Sequence, residues 1–340
     1  MENSFESLVS EFCGSKNKDS ISMYHRSKLI KRLRQGRFRI SLHRLPDYLK
    51  IAKELGFIDT LVFKMLLAQI VNLDLSIGIE YDSYDKQDWS LLLEEAWREV
   101  SLAEWETSPI SSGESVSLSG SLSEDSLRSK VVVLLKGAQA LFNHCRECMN
   151  DGLFVVLMEV FEEKILPSYG LMVSQFILFS GISIDRRNMS NFVSFLNAQI
   201  FTGFSPLREK QIVYLSSFLA SVAIVDTSLH VISTGFVEKA GERMLLETDR
   251  ISGVLLYALM HISMAWHGSV CTKDIDRVIL RVSENTRLVG MVKPQIQTMY
   301  QKIVPAFVPQ LKQEHIVLSF PFEASPIPYI HDWIQNYKYK

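Results

Sequence analysis

The order of apolar and polar side chains along this chain is that of amphipathic α-helices. From Tyr24 onward apolar residues recur at spacings of three and four, most regularly over residues 58–75. Such spacing places them on one face of a helix. Almost no segment shows the alternation of period two that a half-buried strand needs. Further helices are predicted at 130–148, 152–165, 171–183, 189–201, 208–224, 228–246, 250–267, 273–282 and 287–303. We therefore predict an all-α fold.

Short polar or glycine-bearing turns, such as Asp151-Gly152 and Asp226-Thr227, separate these helices. Consecutive amphipathic helices joined by short turns pair and stack, which is how an α-solenoid is built. Because no sequence repeat is evident, the prediction of HEAT-like helix pairs depends on helix pairing alone. The tail after residue 305 is rich in proline, which a helix interior does not tolerate. We expect this tail to form an extended strap.

An abrupt change of composition divides the chain. Residues 107–129 are dominated by serine, with glycine and acidic residues among them. This segment lacks the apolar side chains that a packed core requires, so it predicts a flexible acidic loop. The resulting organisation is N-terminal helical repeats over 1–106, the loop over 107–129, and C-terminal helical repeats over 130–340.

Composition restricts the class of protein. The chain has 340 residues, of which 47% are hydrophobic, enough for a large core. A formal net charge of −2 gives no global attraction to nucleic acid or to anionic membranes. Four cysteines are too few for a disulfide scaffold in a chain of this length and fit a reducing compartment.

Two stretches, residues 165–184 and 251–272, carry no Asp, Glu, Lys or Arg. Each is about as long as a membrane span. Both contain polar side chains that are costly in hydrocarbon, among them Gln175, His261 and His267, and neither has flanking aromatic belts. We therefore predict helices buried in a helical stack and no membrane contact.

Nothing in the sequence predicts a metal, a cofactor or a catalytic residue. Cys145 and Cys148 have the spacing of half a zinc site, but no second close pair of ligands exists. An acidic run at Asp82, Asp85 and Asp88 lacks the glycine and the terminal glutamate of a calcium loop. The phosphate-binding, dinucleotide-binding, zinc-protease and serine-hydrolase motifs are all missing.

One basic patch lies near the N-terminus, and its candidate partner-binding residues are Lys31, Arg32, Arg34 and Arg37. Two interpretations stay open. The patch is either the solvated face of a helix, or a docking surface for an acidic partner or a phosphate backbone. Direct contact with DNA is therefore undecided by the sequence.

The serine-rich segment offers four phosphorylation candidates, Ser108, Ser111, Ser121 and Ser123. Ser108 precedes a proline, while Ser111 and Ser121 each have an acidic residue three positions later. Each phosphate would add about −1.5 to −2 charges. Several phosphates would either prevent docking to an acidic partner surface or mask the basic patch. The alternative is an inert linker.

Four segments carry a resemblance to a known family. They are Leu166-Pro167-Ser168-Tyr169 with Ser174-Gln175-Phe176-Ile177-Leu178-Phe179, Arg208 with Tyr214-Leu215-Ser216-Ser217-Phe218-Leu219-Ala220, Lys293-Pro294, and Phe320-Pro321-Phe322-Glu323. In order and approximate spacing, over residues 130–335, they resemble the RNA polymerase I-specific transcription initiation factor family. One departure is Ser221, where the family usually carries arginine.

The resemblance implies a HEAT-repeat bridge without catalytic activity that acts in the nucleus and nucleolus. Members bind RNA polymerase I at its stalk and dock region and connect it to the promoter-bound core factor. It also implies that phosphorylation of the serine-rich loop regulates this contact, and that the free protein forms a homodimer. The competing interpretation is a different helical-repeat adaptor, for example in transport or chromatin, and an enzyme is the third.

Overall fold

The computed structural model describes residues 59–81, 92, 95–96, 124–168, 170–202, 205–222, 227–267 and 272–310. These residues are predominantly helical and include no β-strand, which confirms the all-α prediction. The helices with defined bounds are α1 (Asp59–Tyr81), α2 (Glu124–Cys148), α3 (Asp151–Val160), α4 (Ser174–Ser183), α5 (Arg186–Thr202), α6 (Arg208–Ser221), α7 (Thr227–Leu246), α8 (Arg250–Ala265), α9 (Thr272–Val282), α10 (Thr286–Gly290) and α11 (Pro294–Ile303).

Most predicted helices from residue 130 onward are confirmed within a few residues at each end. The prediction of one helix over 287–303 is wrong, because α10 ends at Gly290 and α11 begins at Pro294. Proline lacks a backbone N–H and has a fixed φ, so it starts a helix readily and does not continue one. A π-helical turn, Phe161–Ile165, follows α3 directly.

The chain forms two compact units. Unit 1 comprises Met1–Gly181 with Pro326–Trp333, and unit 2 comprises Ile182–Ser325 with Ile334–Lys340. Helix α2 begins at Glu124, so the last six positions assigned to the serine-rich loop are helical. Residues 107–123 lie outside the described residues, and the proposed domain boundaries stay predictions.

In unit 1, α1 packs against α2, α3 and the π-helical turn. Its buried side chains include Phe63, Leu66, Leu67 and Ile70, which recur at three- and four-residue spacing. Helix α3 begins after Asn150, whose side-chain oxygen accepts a hydrogen bond from the Leu153 N–H at 3.0 Å. This cap satisfies a donor that a helix N-terminus otherwise leaves without an intrahelical partner.

In unit 2 the helices form two layers, as stacked helix pairs do. Helices α5, α7 and α9 contact one another in order, and α8 contacts α6, α10 and α11 in a second layer. The layers meet where α5 contacts α6, α7 contacts α8, and α8 contacts α9. The Trp266 indole N–H, at the end of α8, donates to the Leu219 carbonyl of α6 at 2.7 Å.

Only the start of the proline-rich tail is described. Residues 304–310 are not helical, and the side chain of Gln297 on α11 is hydrogen-bonded to the last of them, Gln310. The Gln297 side-chain oxygen accepts from the Gln310 N–H at 2.6 Å, and its amide donates to the Gln310 carbonyl at 3.3 Å. The strap beyond residue 310 stays a prediction. Among the described residues, no helix combines the length and the apolar composition that crossing a membrane requires.

Candidate interaction surface

Two of the segments that carry the family resemblance, those on α4 and α6, are interior scaffold. All residues from 174 to 179 on α4 are buried, as are all from 214 to 220 on α6. Gln175 retains 4% of its exposure and Phe218 none, with the Phe218 ring packed edge-on against Phe192 at 5.0 Å between centroids. These side chains shape the helical stack and do not reach a partner on its surface.

A buried carboxylate fixes the chain in front of α4. Asp74 of α1 accepts hydrogen bonds from the backbone N–H groups of Met172 (2.9 Å), Val173 (2.9 Å) and Ser174 (2.7 Å). It also accepts from the Ser174 hydroxyl at 2.7 Å. Complete burial raises the pKa of the Asp74 carboxyl, while the four hydrogen bonds act in the opposite direction. Asp74 thus ties α1 to the N-terminus of α4.

A second polar cluster lies inside unit 2. One carboxylate oxygen of Asp276 accepts from the Ser263 hydroxyl at 2.5 Å and from the Tyr300 hydroxyl at 2.8 Å. Burial and the neighbouring Asp276 charge raise the pKa of Tyr300. Because this phenol stays protonated, it remains a hydrogen-bond donor that joins α11 to α9.

Sequence reasoning missed both carboxylates. Asp74 is a single acidic residue within an apolar helix, and its partners lie 98 to 100 residues further along the chain. A charged residue among the apolar positions of a buried helix could have predicted a buried hydrogen-bonding site, because such a charge requires hydrogen-bond partners. The identity of those partners is set by tertiary packing.

The Cys145–Cys148 pair is not part of a metal centre in the described residues, where no group of three or more potential metal ligands occurs. Cys145 is buried and Cys148 is half-buried, and neither forms a disulfide bond with another described residue. The adjacent His144 is buried and stacks on the Phe63 ring of α1, with 5.8 Å between ring centroids. This segment of α2 therefore contributes core contacts.

Helix α6 carries the departure noted at Ser221. The Ser221 side chain is buried, and its hydroxyl donates to the Ser217 carbonyl one turn earlier at 2.7 Å. A serine that bonds back to its own helix needs no external partner. This position is therefore part of the core and presents no charge to a partner.

Exposed charges define the exterior of each unit. In unit 1, Lys64 bridges Glu159 of α3 at 2.8 Å and Glu163 of the π-helical turn at 3.3 Å. In unit 2, α9 exposes Lys273, Arg277 and further charged residues, while its apolar side faces α7 and α8. These charged surfaces are where the described residues meet the surroundings.

The site residues predicted from the sequence all lie outside the described residues. These are the basic residues Lys31, Arg32, Arg34 and Arg37 and the serines Ser108, Ser111, Ser121 and Ser123. The docking and phosphorylation roles assigned to them stay predictions.

Comparison with models of protein families shows to which family the chain belongs. The model of the family "RNA polymerase I specific transcription initiation factor RRN3" matches residues 45–237. The chain belongs to this family. The RRN3 match extends further toward the N-terminus than the range expected from the sequence, and it ends before Lys293-Pro294 and Phe320. The two segments on α4 and α6 lie within it.

A solved structure supports the architecture. The chain is similar to the crystal structure of RNA polymerase I transcription initiation factor Rrn3, with a TM-score of 0.62 and 15% sequence identity. The alignment covers 91% of this chain and 66% of that chain. At this identity the similarity establishes the fold, and it confirms the predicted helical-repeat architecture. A comparison with curated proteins gives no match.

Proposed function

We propose that this chain is an initiation factor that prepares RNA polymerase I for transcription of ribosomal RNA genes. The observation that carries this proposal is the RRN3 family match over residues 45–237. The RRN3 family is one of transcription initiation factors and not a known class of enzyme. We propose that the chain acts by recognition of other macromolecules, without catalysis and without a cofactor.

The arrangement of the described residues supports a surface mechanism. Helices α4 and α6 are buried over the segments that identify the family, so their role is to set the geometry of the helix pairs. Partners then contact the exposed layers. We propose that one surface binds the stalk and dock region of polymerase I and another binds the promoter-bound core factor. Bridging follows when both surfaces are occupied together.

A reconstituted transcription assay tests this function. Purified polymerase I, core factor and a ribosomal RNA promoter template are combined with and without the chain. We expect specific initiation to require the chain. Elongation from a tailed template, which bypasses initiation, should not respond. Equal promoter-directed initiation in the presence and absence of the chain would contradict the proposal.

The basic patch at Lys31, Arg32, Arg34 and Arg37 is proposed as one docking surface. Reversal of two charges, Arg32→Glu with Arg34→Glu, should weaken binding to the polymerase or to promoter DNA, since basic side chains steer acidic partners. If binding to both is unchanged, the patch is a solvated helix face.

We also propose nuclear and nucleolar localisation, and a homodimer of the free factor.

A further inference from the structure

Helix α9 of unit 2 separates its apolar and charged residues onto opposite sides. Its buried residues are Thr272, Ile275, Ile279 and Val282. They recur at three- and four-residue intervals, and the helix contacts α7 and α8. The opposite side of α9 is consequently the outer surface of unit 2.

Three cations occupy this outer side at one-turn intervals. Lys273, Arg277 and Arg281 are all exposed, and the Arg277 side chain retains 79% of its exposure. Residues four apart lie nearly above one another on a helix. With a rise of about 1.5 Å per residue, the three charges are spaced about 6 Å apart along a line of about 12 Å. We call these three residues the α9 basic stripe.

Little within the described residues neutralises the α9 basic stripe. Arg277 forms a surface ion pair with Asp274 at 3.1 Å, where both side chains are well exposed. No ion pair joins Lys273 or Arg281 to another described residue. The acidic residue on the inner flank, Asp276, accepts hydrogen bonds from two hydroxyl groups instead. Exposed pairs of this kind contribute about 0–1 kcal/mol, so the stripe is available to an external anion.

The residues around the α9 basic stripe limit the class of partner that it can bind. Helix α7 approaches α9 closely, since a Cβ added at Gly241 would lie 2.9 Å from a Val278 methyl group. Helix α7 exposes Glu238 and Glu242, and Glu284 is exposed just after α9. The positive region is therefore narrow and has acidic residues beside it. Duplex DNA presents phosphates over a broad surface and would meet these acidic side chains as well.

We propose that the α9 basic stripe binds an extended, acidic polypeptide segment of a partner protein. Side chains at alternate positions of an extended chain point the same way and lie about 6.8 Å apart. A segment with Glu or Asp at alternate positions therefore matches the spacing of the three cations. An amphipathic partner helix is a poorer match, because the exposed positions beside the stripe are charged, while the apolar residues there, Val278 and Leu280, are half-buried. This proposal does not rest on the initiation function proposed above.

Fluorescence anisotropy with the full chain tests the proposal. The probe is a labelled peptide of about ten residues in which Glu alternates with Ser, and its control carries Gln in place of Glu. At an ionic strength of about 0.1 M, where the Debye length is about 10 Å, the Glu peptide should bind and the Gln peptide should not. The stripe variant, Lys273→Glu with Arg277→Glu and Arg281→Glu, should weaken binding by about tenfold or more.

A control variant carries the same change of charge elsewhere in unit 2. Arg186→Glu, Arg187→Glu and Lys302→Glu alter three other exposed basic residues. This variant should bind the Glu peptide within about twofold of the wild type, because its substitutions leave the three cations of the α9 basic stripe in place and exposed charges more than a Debye length apart are largely screened. Circular dichroism and thermal unfolding verify that both variants fold. If the charge-reversed stripe variant does not fold, the neutral variant Lys273→Gln with Arg277→Gln and Arg281→Gln replaces it.

Three outcomes would overturn the proposal. The first is no binding of the Glu peptide by the wild type. The second is an equal loss in the stripe and control variants, which would reflect net charge alone. The third is tighter binding of duplex DNA than of the Glu peptide at the stripe, which would identify the stripe as a nucleic-acid-binding surface. Promoter-directed transcription is measured separately, so failure of this proposal and failure of the initiation function are distinguishable.

Discussion

At the scale of single residues, the buried side chain of Asp74 joins two segments that lie about 100 residues apart in the sequence. Its carboxylate is the hydrogen-bond acceptor for three consecutive backbone N–H groups that precede and open α4. A helix N-terminus has several such donors without an intrahelical partner, and here they are buried. One acidic side chain from another helix thus allows the buried segment to remain in the core.

We predict that Asp74→Ala destabilises the protein strongly. The substitution leaves three buried N–H groups without an acceptor, and each such group costs about 1–3 kcal/mol. The expected loss in the free energy of unfolding is therefore on the order of 3 kcal/mol or more. Asp74→Asn keeps one acceptor oxygen and should cause a smaller loss. Urea unfolding followed by circular dichroism measures both.

Asp274→Ala is the matched control for Asp74→Ala, because Asp274 is an exposed acidic residue on α9. A surface change of this type should alter stability by less than about 0.5 kcal/mol. If Asp74→Ala and Asp274→Ala unfold at the same urea concentration, the buried carboxylate is not the tie that its hydrogen bonds indicate.

At the scale of helices, periodicity predicts most of the described fold. Apolar spacing of three and four fixes where a helix exists, since this is how a helix buries one face. The method fails at 287–303, where apolar residues continue across Pro294 although the backbone cannot. It also could not place Asp74 or Gln297, whose partners belong to other segments. Side chains that pair over long distances leave no periodic signal.

Periodicity alone could not show that the family segments of α4 and α6 are covered on every side. Periodicity reports an apolar face but not whether the opposite face is also covered. On α6 every residue from 211 to 221 is buried, including polar Gln211 and Ser216. The packing of the surrounding helices determines whether the opposite face is covered. Because the motif residues of α6 are buried, they do not show which exposed residues bind a partner.

Two glycines of α7 give a paired test of helix contacts. A Cβ added at Gly235 meets nothing within 4 Å, whereas at Gly241 it would lie 2.9 Å from a Val278 methyl group. We predict that Gly235→Ala stabilises by about 0.5–1 kcal/mol through helix propensity. Gly241→Ala should destabilise by about 1–3 kcal/mol, because valine has a stiff side chain and overpacking strains the contact.

Thermal unfolding of the two alanine variants measures this difference. The comparison is matched because both substitutions lie within the same helix and make the same chemical change. Equal stabilisation by both variants would mean that α7 and α9 are further apart than described.

For the serine-rich segment we predict that Ser121→Asp with Ser123→Asp weakens binding to polymerase I by roughly threefold or more. The physical reason is added negative charge beside an acidic partner surface or the basic patch. Ser121→Asn with Ser123→Asn is the uncharged control and should bind as the wild type does. Unchanged affinity of the Asp variant at moderate salt would leave the segment as an inert linker.

At the scale of the whole molecule, recognition has to come from local surfaces. The formal net charge is −2, so no global field selects a partner. The described residues place the apolar segments shared with the family inside the helical stack and leave charged helix faces outside. The family could be predicted from the sequence because those buried segments resemble family motifs in order and approximate spacing. The partner surfaces were not, because exposed charges follow no such pattern.

The central claim is that the exterior of this helical-repeat protein recognises RNA polymerase I specifically. Quantitative pull-down with purified polymerases I, II and III tests it most directly, with the immobilised full chain and equal polymerase concentrations. We predict retention of polymerase I and no retention of polymerases II and III above the bare matrix. Equal retention of all three polymerases, or of none, would contradict the claim.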